Sequence, residues 1–204
     1  MPTAILMEHV LPAGVIGPDE TILDIRAYLV SHHTGLTLVD TGMASGGHAL
    51  DQALANAGAA WTDVSEVVIT HAHPDHTGAL GHVRTSAPHA QVFAHPAEGL
   101  DDTQPFLDGQ TVGGLRAFAT PGHTAGHLCL LDEGTGAVLL GDCLMVLDGR
   151  LVRAFEQFTV DAAQAERSLH RLRGLRGARM LFSHGPEITE PWDELDVLLD
   201  NTKG

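Results

Sequence analysis

The chain has 204 residues, enough to bury a sizeable core without disulfide staples, and at 44% hydrophobic and 18% charged its balance is that of an ordinary globular protein. Its formal net charge of −15 argues against a surface built to grip phosphate backbones or anionic membranes, so no nucleic-acid or membrane partner is expected. No apolar run reaches the roughly 18 residues of a membrane span, and the two cysteines, Cys129 and Cys143, are too few for a disulfide framework and read as reduced thiols.

The chain opens on Met1-Pro2-Thr3-Ala4, with no basic stretch ahead of an apolar one, so a cytoplasmic protein is expected. Residues 4–11 and 22–31 read as strands, since their apolar residues partly alternate between punctuating Pro-Gly and Pro-Asp segments. Residues 36–40 form another short strand, and 47–58 a helix closed by Gly58. Residues 64–70 are a buried strand, 77–86 a helix stopped by Pro88, and 91–95 a strand. A polar loop with a helical turn fills 96–109. Strands follow at 111–120, 128–132 and 137–140. Asp148-Gly149 predicts a tight hairpin over 145–152. Residues 161–173 are an amphipathic helix, capped by Asp161 and closed by Gly174. A strand at 180–183 and a helix at 191–199 end the series. Helices scattered among short strands predict a layered α/β protein, with no linker or repeat to divide it, so residues 1–204 read as one domain.

Histidine is the unusual component. There are 14, several beside glycine, proline or aspartate in predicted loops. The densest group is His71-Ala72-His73-Pro74-Asp75-His76, directly after the apolar run Val67-Val68-Ile69-Thr70. Side chains two apart on an extended chain point to one side, so His71 and His73 can close on one ion. Pro74 bars a helix interior there and turns the chain, so Asp75 and His76 face a second ion. Further donors sit just past predicted strands: His123 in Thr120-Pro121-Gly122-His123-Thr124-Ala125-Gly126-His127, Asp142 after Leu140-Gly141, and His184 after Phe182-Ser183. Strand ends converging on one sheet edge are where α/β proteins build sites.

This set resembles the metallo-β-lactamase superfamily of metal-dependent hydrolases and related enzymes. The matching motifs are HxHxDH at 71–76, GHTxGH at 122–127, Gly141-Asp142, His184, and the early element Val39-Asp40-Thr41-Gly42. The resemblance implies a four-layer αββα sandwich with the site at the edge between its two sheets. It implies that His71, His73 and His123 bind one metal, that Asp75, His76 and His184 bind the other, and that Asp142 bridges them. Imidazole and carboxylate donors suit two Zn²⁺ ions first, and also Fe or Mn. Asp40 is expected to accept hydrogen bonds from loop backbone near the site, and His127 to support the ligands rather than join them. Cys143, next to Asp142 on an extended segment, is expected to point away as an inert thiol. His9, His32, His33, His48, His82, His89, His95 and His170 read as ordinary histidines.

Two divalent ions, Asp75, Asp142 and a bridging hydroxide would leave the site about one unit positive, which favours a developing oxyanion. The implied activity is hydrolysis of an activated carbonyl in a small molecule, a thioester, lactone or other ester, with Asp75 as the catalytic residue that orients the hydroxide. GHTxGH resembles the glyoxalase II and acyl-homoserine-lactone lactonase branches, and Asp142 as bridge departs from a true β-lactamase. The lactonases use a tyrosine near the site, whereas the single tyrosine here, Tyr28, falls on an early strand; Phe155 and Phe158 are candidates for a pocket wall or for core. The alternative is a mononuclear iron oxidoreductase of the persulfide dioxygenase type, which shares HxHxDH, and behind it a phosphodiesterase or nuclease. Loops 43–47, 96–110 and 143–160 are expected to choose the substrate.

Overall fold

The computed structural model describes residues 1–200. Six strands form one sheet in the order β1 (Thr3–Leu11), β2 (Thr21–His32), β3 (Gly35–Val39), β4 (Val64–Val68), β5 (Gln91–Ala94) and β6 (Gln104–Pro105). The first three are antiparallel, and β3 to β6 run parallel. The helices between them are α1 (Gly47–Asn56), the single turn α2 (Pro74–Thr77) and α3 (Leu80–Ser86). The second sheet takes β7 (Thr111–Val112), β8 (Leu115–Ala119), β9 (Leu128–Asp132), β10 (Ala137–Leu139) and, past a hairpin of β11 (Leu144–Leu147) and β12 (Arg150–Arg153), β13 (Arg179–Leu181). Helices α4 (Ala162–Leu172) and α5 (Pro191–Asp200) flank β13 in sequence. No helix among the described residues is long and apolar enough to cross a membrane.

The layers follow from the two-residue period of the strands. Along β2, Ile25, Ala27 and Leu29 face the apolar side of α1 and α3, where Leu50, Leu54, Leu80 and Val83 lie. Tyr28 and Val30 face the other way, into a central cluster with Leu115, Leu128, Leu130 and Leu139 of the second sheet. The second sheet alternates too: Cys129, Val138 and Met180 turn outward against Leu169 and Leu172 of α4 and Trp192 and Leu195 of α5. Three apolar clusters between four layers give the αββα sandwich that the motifs imply.

Four expectations of the sequence differ locally. The helix expected over 77–86 is broken at Gly78-Ala79 into α2 and α3, because Gly78 lies against backbone: a Cβ there would sit 2.4 Å from the Ala44 nitrogen. The strand expected over 111–120 is a hairpin, β7 and β8, turning on Gly113 and Gly114 at positive φ. The expected loop 96–109 contains the two-residue strand β6. Gly174 does not close α4; the chain runs on through a 3-10 turn at Arg173–Leu175 and reverses at Gly177, φ 95°.

Candidate metal centre

Every donor leaves its strand at the same edge. β3, β4 and β5 are parallel, so their C-terminal ends carry Asp40, His71 and Glu98 side by side. β10 and β13 are parallel and deliver Asp142 and His184, while the turn from β8 into antiparallel β9 brings His123 and His127 to that edge. The sheets meet there through backbone bonds from Leu128 N–H to Thr70 O, 3.0 Å, and from Arg26 N–H to Ser183 O, 2.9 Å. Pro74 opens α2 at its first position, where a missing N–H costs nothing, and that turn carries Asp75 and His76 away from His71 and His73.

The donors fall into two groups that could each hold a metal ion: His71, His73, His123 and Asp142, and Asp75, His76, Asp142 and His184. In the first, His73 Nδ1 lies 3.2 Å from His71 Nε2 and 3.0 Å from His123 Nε2. Donors about 2.0–2.1 Å from a tetrahedral zinc ion stand about 3.3–3.4 Å apart, so three nitrogens this close fit one cation. Asp142 divides its carboxylate between the groups. Oδ2 is 3.4 Å from His123 Nε2 and 3.9 Å from His71 Nε2; Oδ1 is 3.2 Å from both His76 Nε2 and His184 Nε2. Asp75 Oδ2 completes the second group, 3.3 Å from His184 Nε2 and 3.7 Å from His76 Nε2. His76 Nε2 and Asp142 Oδ1 are buried without a hydrogen-bond partner. Such orphaned atoms are rare in native proteins, and a cation held between the two groups would give both a partner.

Four of the five donor imidazoles are aimed by their other nitrogen. His76 Nδ1 donates to Asp40 Oδ2 at 2.8 Å, and His184 Nδ1 to the Asp24 carbonyl at 2.7 Å. His71 Nδ1 faces Thr70 Oγ1 at 3.2 Å, and His123 Nδ1 faces Thr159 Oγ1 at 3.3 Å. In all four Nε2 is left pointing inward. Asp40 also accepts from Thr70 N–H and Thr70 Oγ1, both 2.8 Å, and holds a left-handed φ of 57° to do so. His127 Nε2 accepts the Asp142 amide at 3.0 Å while Nδ1 bonds Thr120 Oγ1 at 2.8 Å, so it fixes the backbone of the shared carboxylate. Gly141 is needed for that contact: its φ is 51°, and a Cβ would sit 2.6 Å from His127 Nε2.

Burial holds the proton affinity of His71 well below the ordinary histidine value, and lowers His123 to about 4 and His127 to about 3. The neutral rings keep free lone pairs. Burial also opposes charge on His76 and His184, but carboxylates outweigh it: Asp142 and Asp40 hold His76 well above its usual value, and Asp142 and Asp75 raise His184 to about 10. Asp142 stays ionised against its burial because His184 and His76 face it.

Glu98 carries no signal in the sequence, yet it ties the two histidine loops together. Its carboxylate accepts from Ala72 N–H at 2.6 Å, Gly126 N–H at 2.6 Å and Thr124 Oγ1 at 2.7 Å. A cavity of about 270 Å³ opens beside the donors, reached by His73, Asp75, His123, Asp142 and His184. The loop 96–110 does not line it. The expectation for that loop is replaced by the first hairpin, which contributes His9, Leu11, Val15 and Leu23. His9 is therefore at the cavity rather than an ordinary histidine. Phe155 and Phe158 take the pocket-wall option; Tyr28 is buried between the sheets, its hydroxyl donating to the Phe182 carbonyl at 2.7 Å. Cys143 is half-buried, and its hydrogen bond to Cys129, together with burial, pushes its thiol well above the ordinary range.

A family model of the metallo-beta-lactamase superfamily matches residues 21–110 and 88–184. The protein YobT of Bacillus subtilis (strain 168) is 24% identical over 89% of this chain and 92% of its own. Atrochrysone carboxyl ACP thioesterase of Aspergillus fumigatus is 30% identical over 90% of this chain, and hydroxyacylglutathione hydrolase of Rhodospirillum rubrum 32% identical over 64%. This chain spans 42% and 51% of the length of those two. Among solved structures, the metallo-beta-lactamase family protein TTHA1429 of Thermus thermophilus superposes with a TM-score of 0.71 at 25% identity, over 98% of this chain and 79% of that one. TTHA1623, solved in a di-iron-bound form, shares the fold with a TM-score of 0.68 at 24% identity, over 89% of this chain and 94% of its own. With the donor geometry in place and the family match running from residue 21 to residue 184, the chain belongs to the metallo-β-lactamase superfamily.

Proposed function

We propose that this chain is a dinuclear metal-dependent hydrolase of activated carbonyls: thioesters, lactones or other small esters. The observation that carries the reading is Asp142, whose two oxygens face two separate donor groups, one of them an orphaned buried atom. His71, His73 and His123 would hold one ion, Asp75, His76 and His184 the other, with Asp142 shared. Divalent ions bound there supply an acidified water, its pKa brought from about 15.7 toward 7, and a Lewis acid for the carbonyl oxygen. Zinc fits the imidazole and carboxylate set, and Fe and Mn fit it too.

The protein's own part is positioning and proton handling. Asp75 is the more exposed of the two carboxylates and borders the cavity, so it is the group placed to orient an attacking water and take its proton. Burial works against its charge, but the His184 hydrogen bond lowers its proton affinity, which keeps it available as an acceptor. Asp40, Thr70, Thr159 and the Asp24 carbonyl fix the rings, so the donors need no reorganisation during turnover. The similarity to proteins named as a thioesterase and as a hydroxyacylglutathione hydrolase supports the thioester branch. The charge of −15 supports a small-molecule substrate over nucleic acid. The family match over residues 21–184 supports one domain over 1–204.

The test is metal analysis with a panel of thioesters, lactones and aryl esters. Two metal ions per chain and turnover of at least one carbonyl class are expected. Asp142→Ala should leave the circular dichroism spectrum intact and lower kcat/KM by at least about 10³-fold, the scale on which single catalytic groups act. One iron per chain with oxygen uptake on a persulfide, or full activity in Asp142→Ala, would overturn the reading.

A further inference from the structure

We propose that the cavity beside the donor groups selects an uncharged, apolar acyl group of medium length and rejects acyl groups that end in an anion. The inference rests on the hydrolase reading above and names the substrate class of that site. The walls are Leu11, Val15, Leu23, Met145, Phe155 and Phe158. Among the described residues, no lysine, arginine, serine, threonine, asparagine or glutamine lines the cavity. Its polar groups are the metal-donor side chains on one side and His9.

An acyl chain carrying a terminal carboxylate would lose its hydration at these walls, where no lysine or arginine stands and His9 is the one polar side chain apart from the donors. The neighbouring cavity of about 230 Å³, which also reaches His123 and Asp142, does contain Arg153. That guanidinium is held in a two-pronged pair with Glu166, at 2.6 and 2.9 Å, and donates to the Leu198 carbonyl at 3.0 Å, so it is already committed. The volume of about 270 Å³ equals about nine water-sized shares of some 30 Å³, room for a chain of about six carbons beside the reacting carbonyl and its water. The walls come from two distant loops, and one hydrogen bond fastens them: Gln157 Nε2 donates to the Val15 carbonyl at 3.0 Å. Phe155 and Phe158 flank that strap with their rings 6.4 Å apart, edge to face. The segment that chooses the acyl group is thus the first hairpin closed against the turn at 155–159.

The experiment uses the metal-loaded protein and thioesters of N-acetylcysteamine from acetyl to dodecanoyl, with succinyl as the anionic member. Calorimetry is run beside it on the matching amides, in which nitrogen replaces the thioester sulfur. The expected kcat/KM climbs about three- to fourfold per added methylene, the fold-change for burying one CH₂, and stops climbing near octanoyl. Succinyl should fall on the order of 100-fold below butyryl. Val15→Arg should raise the succinyl-to-butyryl ratio by placing a counter-charge at the wall. Should that variant fail to fold, the amide affinities of the wild type still decide. Octanoyl amide binding well above acetyl and succinyl amides supports the pocket, even if no thioester, ester or lactone turns over, a result that would sink the hydrolase reading alone. Equal affinity for the three amides, or a flat chain-length profile with succinyl as good as butyryl, overturns the pocket.

Discussion

At the scale of single residues, Asp40 shows how a side chain outside both donor groups can aim a member of one. Its carboxylate accepts from Thr70 N–H, Thr70 Oγ1 and His76 Nδ1 at 2.8 Å each, and the last bond fixes which nitrogen of His76 looks into the site. Asp40→Ala removes all three acceptors at once. It should lower metal affinity at the second group by about 10- to 100-fold, the usual effect of losing an outer partner of a ligating histidine. It should also destabilise the fold, because the Thr70 amide is left buried and unpaired at about 1–3 kcal/mol. Asp40→Asn keeps the shape and separates the effects, with the smaller loss of stability. Chelator competition and urea unfolding read the two quantities; metal affinity unchanged in Asp40→Ala would show that His76 is aimed by packing alone. The role of Asp40 was legible because Val39-Asp40-Thr41-Gly42 resembles the family's early structural motif. Glu98 was not, since a lone glutamate in a polar loop looks like solvated surface until the loops it joins are brought together.

At the scale of elements, the loop that presents His123 is built against the start of α4. Val160 N–H donates to His123 O at 3.0 Å and Asp161 N–H to Gly122 O at 2.9 Å, while Asp161 caps the helix through Gln164 N–H at 2.8 Å. Gly122 lets the two meet: its φ is 137°, and a Cβ would fall 2.1 Å from the Ala165 nitrogen. Gly122→Ala therefore combines backbone strain of about 1–3 kcal/mol with a clash against a helix. The expected outcome is a stability loss of at least that size in urea unfolding and a selective weakening of the first donor group, measured as one metal retained per chain instead of two. Asp161→Ala, which keeps the close approach and loses only the cap, should cost about 1 kcal/mol and leave both metals in place. If Gly122→Ala binds two metals as tightly as wild type, the helix contact does not position His123. The cap and the Asp148-Gly149 hairpin were readable because each rests on a local rule. The split of α2 from α3 was not, because it depends on the approach of Ala44 to Gly78, a contact 34 residues apart in the chain. The Gly113-Gly114 turn was available as a hairpin signal, and the continuous apolar reading of 111–120 overrode it.

At the scale of the whole molecule, the order of strands and helices read as a layered α/β protein, and the four αββα layers came from the resemblance that the motifs carry; the strand period then explains how each strand sorts its side chains between two cores. The cavity beside the donors was readable only in part: Met43, Met145, Phe155 and Phe158 come from loops singled out in the sequence, and the first hairpin does not. Its walls combine residues 9–23 with 145–158, and which loop closes on which is settled only by the docking of the first hairpin. The same long-range assembly makes metal and fold interdependent, since the donors arrive from segments between residues 71 and 184. Carboxylates raise the proton affinity of His76 and His184, so that without metal imidazolium charge faces Asp40, Asp75 and Asp142. Chelation should therefore leave a folded protein with a lower Tm. Restoring free metal to about 1,000 times its dissociation constant should return about 4 kcal/mol per site. Because an entering ion must displace protons from His76 and His184, whose affinity for them is raised, uptake near pH 7 releases protons and the apparent affinity climbs with pH. Calorimetry in two buffers of different ionisation enthalpy measures that release, and differential scanning calorimetry measures the shift. A Tm unaffected by chelator would mean that the two donor groups hold no metal in the folded protein, whereas complete unfolding on chelation would mean that the compensating charge network is too weak to stand alone.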